Sequence, residues 1–224
     1  MIDIPVIVPH CRRLVERRES IIRQFDGLFA NYKFYEEYDA VDLNQVIKDQ
    51  YYGTDFDPQV EKLKLWLPQP HKPRLLNDAE ISLTIKHYEI YKQLAAGDVE
   101  VALILEDDVL LCDGFENRFN EYLANTPSDY DVIFMGCCWG LRPPDVRHDK
   151  VAYRKAHPAS KCTDSYLITK SACQRLASTF LPFHLCIDFE MAYHMYEHDM
   201  KVYWWEPALV TQGSENGTFR SELR

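Results

Sequence analysis

"VALILEDDVLLCDGF", residues 101–115, sets an apolar run directly against three consecutive acids, Glu106, Asp107 and Asp108. The run has the length and β-branching of a buried strand. Mutual repulsion and desolvation both count against three carboxylates at its mouth, so something positive is expected to meet them. A hard divalent cation suits the position, because Mg²⁺ and Mn²⁺ prefer oxygen ligands and offset carboxylate repulsion. Alternate side chains of a strand share a face; Glu106 and Asp108 are therefore expected to face a cleft together, with Asp107 pointing elsewhere. Two acids make an incomplete shell, which magnesium and manganese usually complete with water and substrate phosphates, and a nucleotide diphosphate becomes the expected partner. The same three acids also read as an ordinary solvated turn.

Working outward, strands and helices alternate. "IDIPVIV" reads as a strand and "RRLVERRESIIRQFDGLFA" as a helix with apolar positions at Leu14, Ile21, Ile22, Phe25 and Leu28. "KFYEEYDAVDL" reads as a second strand ending in acids, and residues 44–77, rich in Pro, Tyr and Asp, as a long variable loop with one helical turn at most. Asn77 or Asp78 caps the next helix, which Gly97 stops. After the acidic step come a helix over "FENRFNEYLAN", a strand over "YDVIFMG" and the loop "CWGLRPPDVRHDK". Strands over "VAYRKAH" and "TDSYLIT", helices over "KSACQRLAST" and "DFEMAYHMYEHD", and a closing strand pair, or a strand and loop, in "KVYWWEPALVTQGS" complete the chain. The alternation predicts one α/β domain over residues 1–224, a mostly parallel sheet flanked by helices, whose ligands gather beyond the carboxyl ends of the strands.

Composition narrows the partners. The formal charge of −10 disfavours nucleic acid and anionic membrane surfaces. Arg12, Arg13, Arg17 and Arg18 form the only dense basic cluster, at the start of the first helix, where backbone N–H groups and the helix dipole already favour anions. A solvated face balanced by Glu16 and Glu19 is the alternative for each arginine. Seven cysteines without a CxxC pair are expected to be reduced thiols in a cytoplasmic setting. The opening residues carry an acid where a secretory signal is basic, and no membrane span is expected. His194 and His198, spaced i,i+4 but without the glutamate of an HExxH arrangement, are not expected to bind metal.

"ALILEDDVLL" resembles the LEDD-like version of the DxD step in glycosyltransferase family 25, which includes bacterial lipooligosaccharide and collagen galactosyltransferases. "VERRESIIRQF" followed by "YKFYEEYDAVDL" is similar to that family's opening, and "EISLTIKHYEIYKQL" to its "EIGCxxSHxxxW" helix. "YDVIFMG", "SYLITKSACQRL", "IDFEMAYHM" and "VYWWEPALVTQGS" follow in the family's order. The chain departs from the pattern at Val8-Pro9, Ser82-Leu83 and Lys86, where the donor nucleotide is expected, which leaves the donor's identity open.

The resemblance implies a GT-A fold and Mn²⁺-dependent (or Mg²⁺-dependent) inverting transfer from a nucleotide sugar, a UDP-linked hexose of the galactose type, to a glycan or glycoprotein hydroxyl. It implies Glu106 and Asp108 as metal ligands, and Asp188 as the base for the acceptor proton with Glu190 as runner-up. The basic cluster offers Arg12, Arg13 and Arg17 as candidate diphosphate contacts and Asp107 as a ribose contact or an orienting group, and the resemblance implies His87 as a donor or acceptor contact. Asp188 also reads as a plain helix cap, and His87, on a stripe with Leu83 and Ile90, as a core histidine. Trp139 and Trp66, in irregular stretches, are the expected acceptor platforms. Two rivals stand beside the transferase: a non-catalytic sugar-nucleotide or glycan-binding module of the same fold, and a nucleotidyltransferase, which would want a Gly-rich phosphate loop that "VPHCRRLVERR" lacks.

Overall fold

The computed structural model describes residues 1–67, 71–155, 157–158 and 160–221. Its order is β1 (Val6–Pro9), α1 (Val15–Phe25), β2 (Tyr32–Tyr35), α2 (Gln45–Tyr51), α3 (Phe56–Leu63), α4 (Asp78–Ala96), β3 (Val101–Leu105) and β4 (Val109–Leu111). There follow α5 (Phe115–Ala124), β5 (Val132–Phe134), β6 (Ala152–Lys155), β7 (Ser165–Thr169), α6 (Lys170–Thr179), α7 (Ile187–Glu197), β8 (Val202–Trp205), β9 (Val210–Gln212) and α8 (Gly213–Asn216).

A seven-stranded sheet in the order β2-β1-β3-β7-β5-β8-β6 forms the centre. β1, β2 and β3 run together, β5 and β8 run parallel to each other, and β7 and β6 are antiparallel to their neighbours. Period-2 alternation explains how one sheet serves two cores. Ala102, Ile104, Phe134, Tyr166 and Trp204 point into the layer filled by α4, α6 and α7; Leu103, Leu105, Ile133, Leu167 and Trp205 point into the layer filled by α1 and α5. Both faces are covered, as the near-continuous apolar strands require.

The 19-residue α4 begins with a capping box in which the Asn77 side chain accepts from the Glu80 N–H and Glu80 accepts from the Asn77 N–H. Its buried face carries Ile81, Ile85, Tyr88 and Tyr91 as expected, and it also buries Lys86 and His87.

The structure departs from the sequence expectations in four places. Residues 106–108 lie directly after the carboxyl end of β3, as expected, but turn into β4, so strict alternation does not govern their side chains. The expected loop over 44–77 holds two helices, α2 and α3, the first capped by the Asn44 side chain accepting from the Ile47 N–H. The closing segment, expected as a strand pair or a strand and loop, divides: β8 joins the main sheet, whereas β9 pairs with β4 in a separate antiparallel ribbon. Cys138 and Cys162 are joined by a disulfide, against the expectation of reduced thiols throughout. They meet because β5 and β7 pair antiparallel, which brings the end of one beside the approach to the other. Residues 68–70 of the expected loop, and Ala156 of the expected strand over 151–157, lie outside the described residues. No helix among the described residues is long and apolar enough to cross a membrane.

Candidate active site

The carboxyl ends of β1 and β3 open on the same edge of the sheet, and antiparallel β7 presents its beginning there. The Glu106 N–H donates to the Asp164 carbonyl at 2.8 Å, which ties the acidic turn to the start of β7. The β4–β9 ribbon brings a third segment: the Gly213 N–H donates to the Asp108 carbonyl at 2.7 Å, and Ser214 donates to the Asp108 carboxylate. Four acids from three separate segments, Glu106 and Asp108, Asp164, and Asp188, thus influence one another electrostatically.

The four share a direction of shift. Burial, reinforced by the charges of Asp108 and Asp188, raises Glu106 well above the usual carboxylate range. Burial likewise raises Asp108, against the opposing effects of Ser214 and Arg17. Asp164 is fully buried and is raised by burial and by Glu106. Asp188 is raised by burial, with Thr163 and His87 opposing. The Thr163 hydroxyl lies 2.8 Å from Glu106 Oε1 and 3.1 Å from Asp188 Oδ1, bridging the two. One oxygen each of Asp108 and Asp164 is buried without a hydrogen-bond partner.

Asp107 behaves differently. His10 Nδ1 lies 2.8 Å from its Oδ2, the Cys11 N–H donates to the same oxygen, and Arg17 donates to Oδ1 at 2.7 Å. Burial opposes its charge, but the His10 hydrogen bond and the Arg17 charge outweigh burial and hold Asp107 below its usual value. Its carboxylate fixes Arg17, whose other arm donates to the Arg220 carbonyl at 2.6 Å.

Two hollows meet at this edge. The first, about 770 Å³, is bordered by Arg13, Arg17, Lys86, Glu106 and Asp108. The second, about 890 Å³, is bordered by Glu106, Trp139, Thr163, Asp188 and Glu215. Glu106 belongs to both, as do Leu83, Gln212 and Ser214.

The structure therefore brings Glu106, Asp108, Asp188, Arg13 and Arg17 to one edge. It does not bring Glu190 there. That side chain is fully buried, accepts from the His184 and Leu185 N–H groups at 3.1 and 2.9 Å, and pairs with His194 and Lys62. Burial opposes its charge, and the His194 hydrogen bond and Lys62 charge outweigh burial and lower it. Arg12 turns to Asp39 and Asp42. Lys86 is buried, donating to Asp39 Oδ1 at 2.6 Å and to the His10 carbonyl at 2.5 Å. His87 is fully buried, with Nδ1 2.7 Å from the Tyr166 hydroxyl and Nε2 3.5 Å from Glu106; burial lowers it to about 3, so it is neutral. Trp139 stands exposed at the second hollow, whereas Trp66 packs edge-on against Phe189 with ring centres 5.1 Å apart. His194 and His198 both meet the Thr179 hydroxyl.

Sequence reasoning passed over Asp164, Thr163 and Ser214. Only the TD step at 163–164, ahead of an apolar run, hints that β7 also begins with a polar group at the edge.

The donor set suits a hard cation in part: two carboxylates, one with an unpartnered buried oxygen, supply oxygen ligands that a diphosphate would complete. Among the described residues no group of three or more His, Cys, Asp or Glu side chains is placed to hold a metal by itself.

The sequence profile of glycosyltransferase family 25, described as a lipopolysaccharide biosynthesis protein family, matches residues 6–140. A "Glycosyltransferase 25 family member" of Aedes aegypti is 29% identical over 128 residues, covering 55% of this chain and 19% of that protein. "Procollagen galactosyltransferase 2" of Homo sapiens is 22% identical over 228 residues, covering 92% of this chain and 34% of that protein. The chain thus spans about a third or less of the length of these curated relatives. A solved glycosyltransferase involved in glycosylation of the major capsid of PBCV-1 superposes with a TM-score of 0.40 at 14% identity, covering 94% of this chain and 94% of that one.

Proposed function

Because the chain belongs to glycosyltransferase family 25, we propose that residues 1–224 form one transferase domain moving a galactose-like hexose from a UDP-sugar to a hydroxyl of a glycan or glycoprotein, with inversion. One observation carries this reading: a hollow edged by arginines and a hollow edged by Asp188 meet at Glu106. A donor and an acceptor need such adjacency. The galactosyltransferase name of a relative matching most of the chain supports the choice of sugar.

In this reading the donor diphosphate lies in the first hollow beside Arg13 and Arg17. Asp107 acts as a positioning residue that holds Arg17, and neutral His87 supports Glu106 from below without adding charge. Glu106 and Asp108 would hold Mn²⁺ or Mg²⁺, which supplies Lewis-acid stabilisation of the departing diphosphate. Asp188 takes the proton of the acceptor hydroxyl as its oxygen forms a bond to the anomeric carbon; the bond from that carbon to the phosphate oxygen breaks, and its electron pair leaves with the nucleotide. Glu190, with both oxygens engaged elsewhere, is not used. Arg12 shapes the rim through Asp39. A pure binding module of this fold would have no use for an Asp188 kept partly exposed beside the acidic turn.

The cytoplasmic setting expected from the sequence stands against the Cys138–Cys162 disulfide, since cytosolic thiols are kept reduced. An intact Cys138–Cys162 bond in protein recovered from its native compartment under thiol trapping rules that setting out.

Thermal melting with UDP-galactose, UDP-glucose and GDP-mannose, each with and without Mn²⁺, tests the donor. The expected result is stabilisation by UDP-galactose and Mn²⁺ together, worth about 2.7 kcal/mol at a ligand concentration 100-fold above Kd. Stabilisation by the GDP-sugar alone, or by none of the pairs, contradicts the reading.

A further inference from the structure

Behind the second hollow lies a third, of about 610 Å³, between α3, the segment at 71–76 and the beginning of α7. Cys186 borders both, so the two are neighbours across the residue that precedes α7. Asp188 and Phe189 are consecutive in the first turn of α7, the one bordering the second hollow and the other the third.

The walls of the third hollow are unusual for a packing defect. Gln59 is 1% exposed, and its side-chain oxygen accepts from the Arg74 N–H at 3.0 Å, but its Nε2 is buried with no hydrogen-bond partner. An unsatisfied buried amide is costly, by about 1–3 kcal/mol, and a ligand acceptor atom would relieve it. Phe189 is half-buried and braced by two other rings, Trp66 at 5.1 Å and His71 at 4.7 Å, both edge-on. The two T-shaped contacts hold the Phe189 ring in one orientation within the wall of the hollow. The rim adds Lys72 and Arg74; Arg74 is paired to Glu80, which cancels its charge and leaves its N–H groups oriented. Apolar side chains, a buried amide donor and cationic side chains around one hollow match a pyranose ring, which offers axial C–H groups to apolar surface and hydroxyl oxygens to donors.

We infer that this hollow binds the second sugar ring of a saccharide acceptor whose reacting end lies at Asp188. The inference rests on the transferase reading and names its acceptor: an oligosaccharide end, in preference to a lone sugar or a peptide side chain.

Saturation-transfer NMR on the full chain tests it, with lactose, maltose and cellobiose as probes, methyl β-galactoside as the single-ring control and a hydroxylysine peptide as the protein-type control. Two conservative variants report on the site. Gln59→Glu keeps an acceptor for the Arg74 N–H while removing the amide donor, and Phe189→Leu keeps apolar volume while removing the ring. The expected result is saturation of both rings of at least one disaccharide, with affinity about tenfold weaker in each variant; thermal melting verifies that the variants fold, and either one suffices if the other does not. Equal affinity for disaccharide and single-ring probes, or unchanged affinity in the folded variants, overturns the inference. Binding of the peptide alone, lost in the variants, overturns the saccharide assignment. Release of galactose from UDP-galactose by the unsubstituted chain is measured separately, so the subsite and the transferase reading fail independently.

Discussion

Asp164 has no exposed surface, one carboxylate oxygen without a partner, and a backbone carbonyl that anchors Glu106. Gly136 makes this burial possible, since a β-carbon there would collide with the Asp164 carboxylate. A carboxyl whose folded-state pKa is raised costs stability at pH values above that pKa, and the cost shrinks as pH falls through it. Asp164→Asn is therefore expected to raise the unfolding free energy near pH 7 by about 1–2 kcal/mol, with the gain disappearing in acid; urea titrations at several pH values measure it. Asp188 gives a second expectation. A base must be ionised to work, and its raised pKa moves the acid limb of the rate profile above the ordinary aspartate value, so activity falls as pH drops through the raised pKa. Asp188→Asn is expected to reduce kcat about 10²–10⁴-fold with donor affinity retained; an unaltered kcat means another group takes the proton. Glu106, Asp107 and Asp108 were legible as a cluster because they are contiguous. Asp164 was not, because its nearness to Glu106 depends on β3 and β7 pairing antiparallel, which nothing local to "TDSYLIT" specifies.

At the scale of elements, the long helix at 78–96 was legible from its cap and its period, and β3 from its unbroken apolar run. The helices α2 and α3 were hidden because both are short, and isolated helices of this length are marginal without tertiary packing. What stabilises them is burial of Tyr51 and Leu63 against the rest of the chain, a long-range fact. The separation of β8 from β9 was hidden for a similar reason: β9 finds its partner in β4, about a hundred residues away in sequence. The disulfide joins two segments of the active edge, one carrying Trp139 and the other Thr163, across a sequence separation of 24. Closing a loop of this size is worth about 3 kcal/mol. Reduction, or Cys162→Ser, is expected to destabilise the chain by that order, and thiol counting on the unreduced, unfolded protein to find the five free cysteines, Cys11, Cys112, Cys137, Cys173 and Cys186. Seven reactive thiols would show that the bond does not form.

For the whole molecule, five strands pointing one way concentrate loop ends at one edge, and the two antiparallel strands add their beginnings or neighbours to the same assembly. The chain carries a net charge of −10, yet Arg13 and Arg17 stand beside its most acidic turn. Opposite charges placed so closely leave the edge able to take an anion that brings its own counter-cation, which is how a diphosphate and a divalent metal arrive together. The class of fold followed from alternating strands and helices, and the approximate place of the edge followed from the acids after β3. The pairing of two hollows did not, since it depends on where α7, the ribbon and the start of β7 come to rest. The most direct measurement is release of galactose from UDP-galactose with water as acceptor, in the presence of Mn²⁺, by the native chain and by folded Asp108→Asn. Turnover by the native chain that requires Mn²⁺ and falls at least about 100-fold on substitution is the predicted result; equal turnover by both proteins contradicts the account.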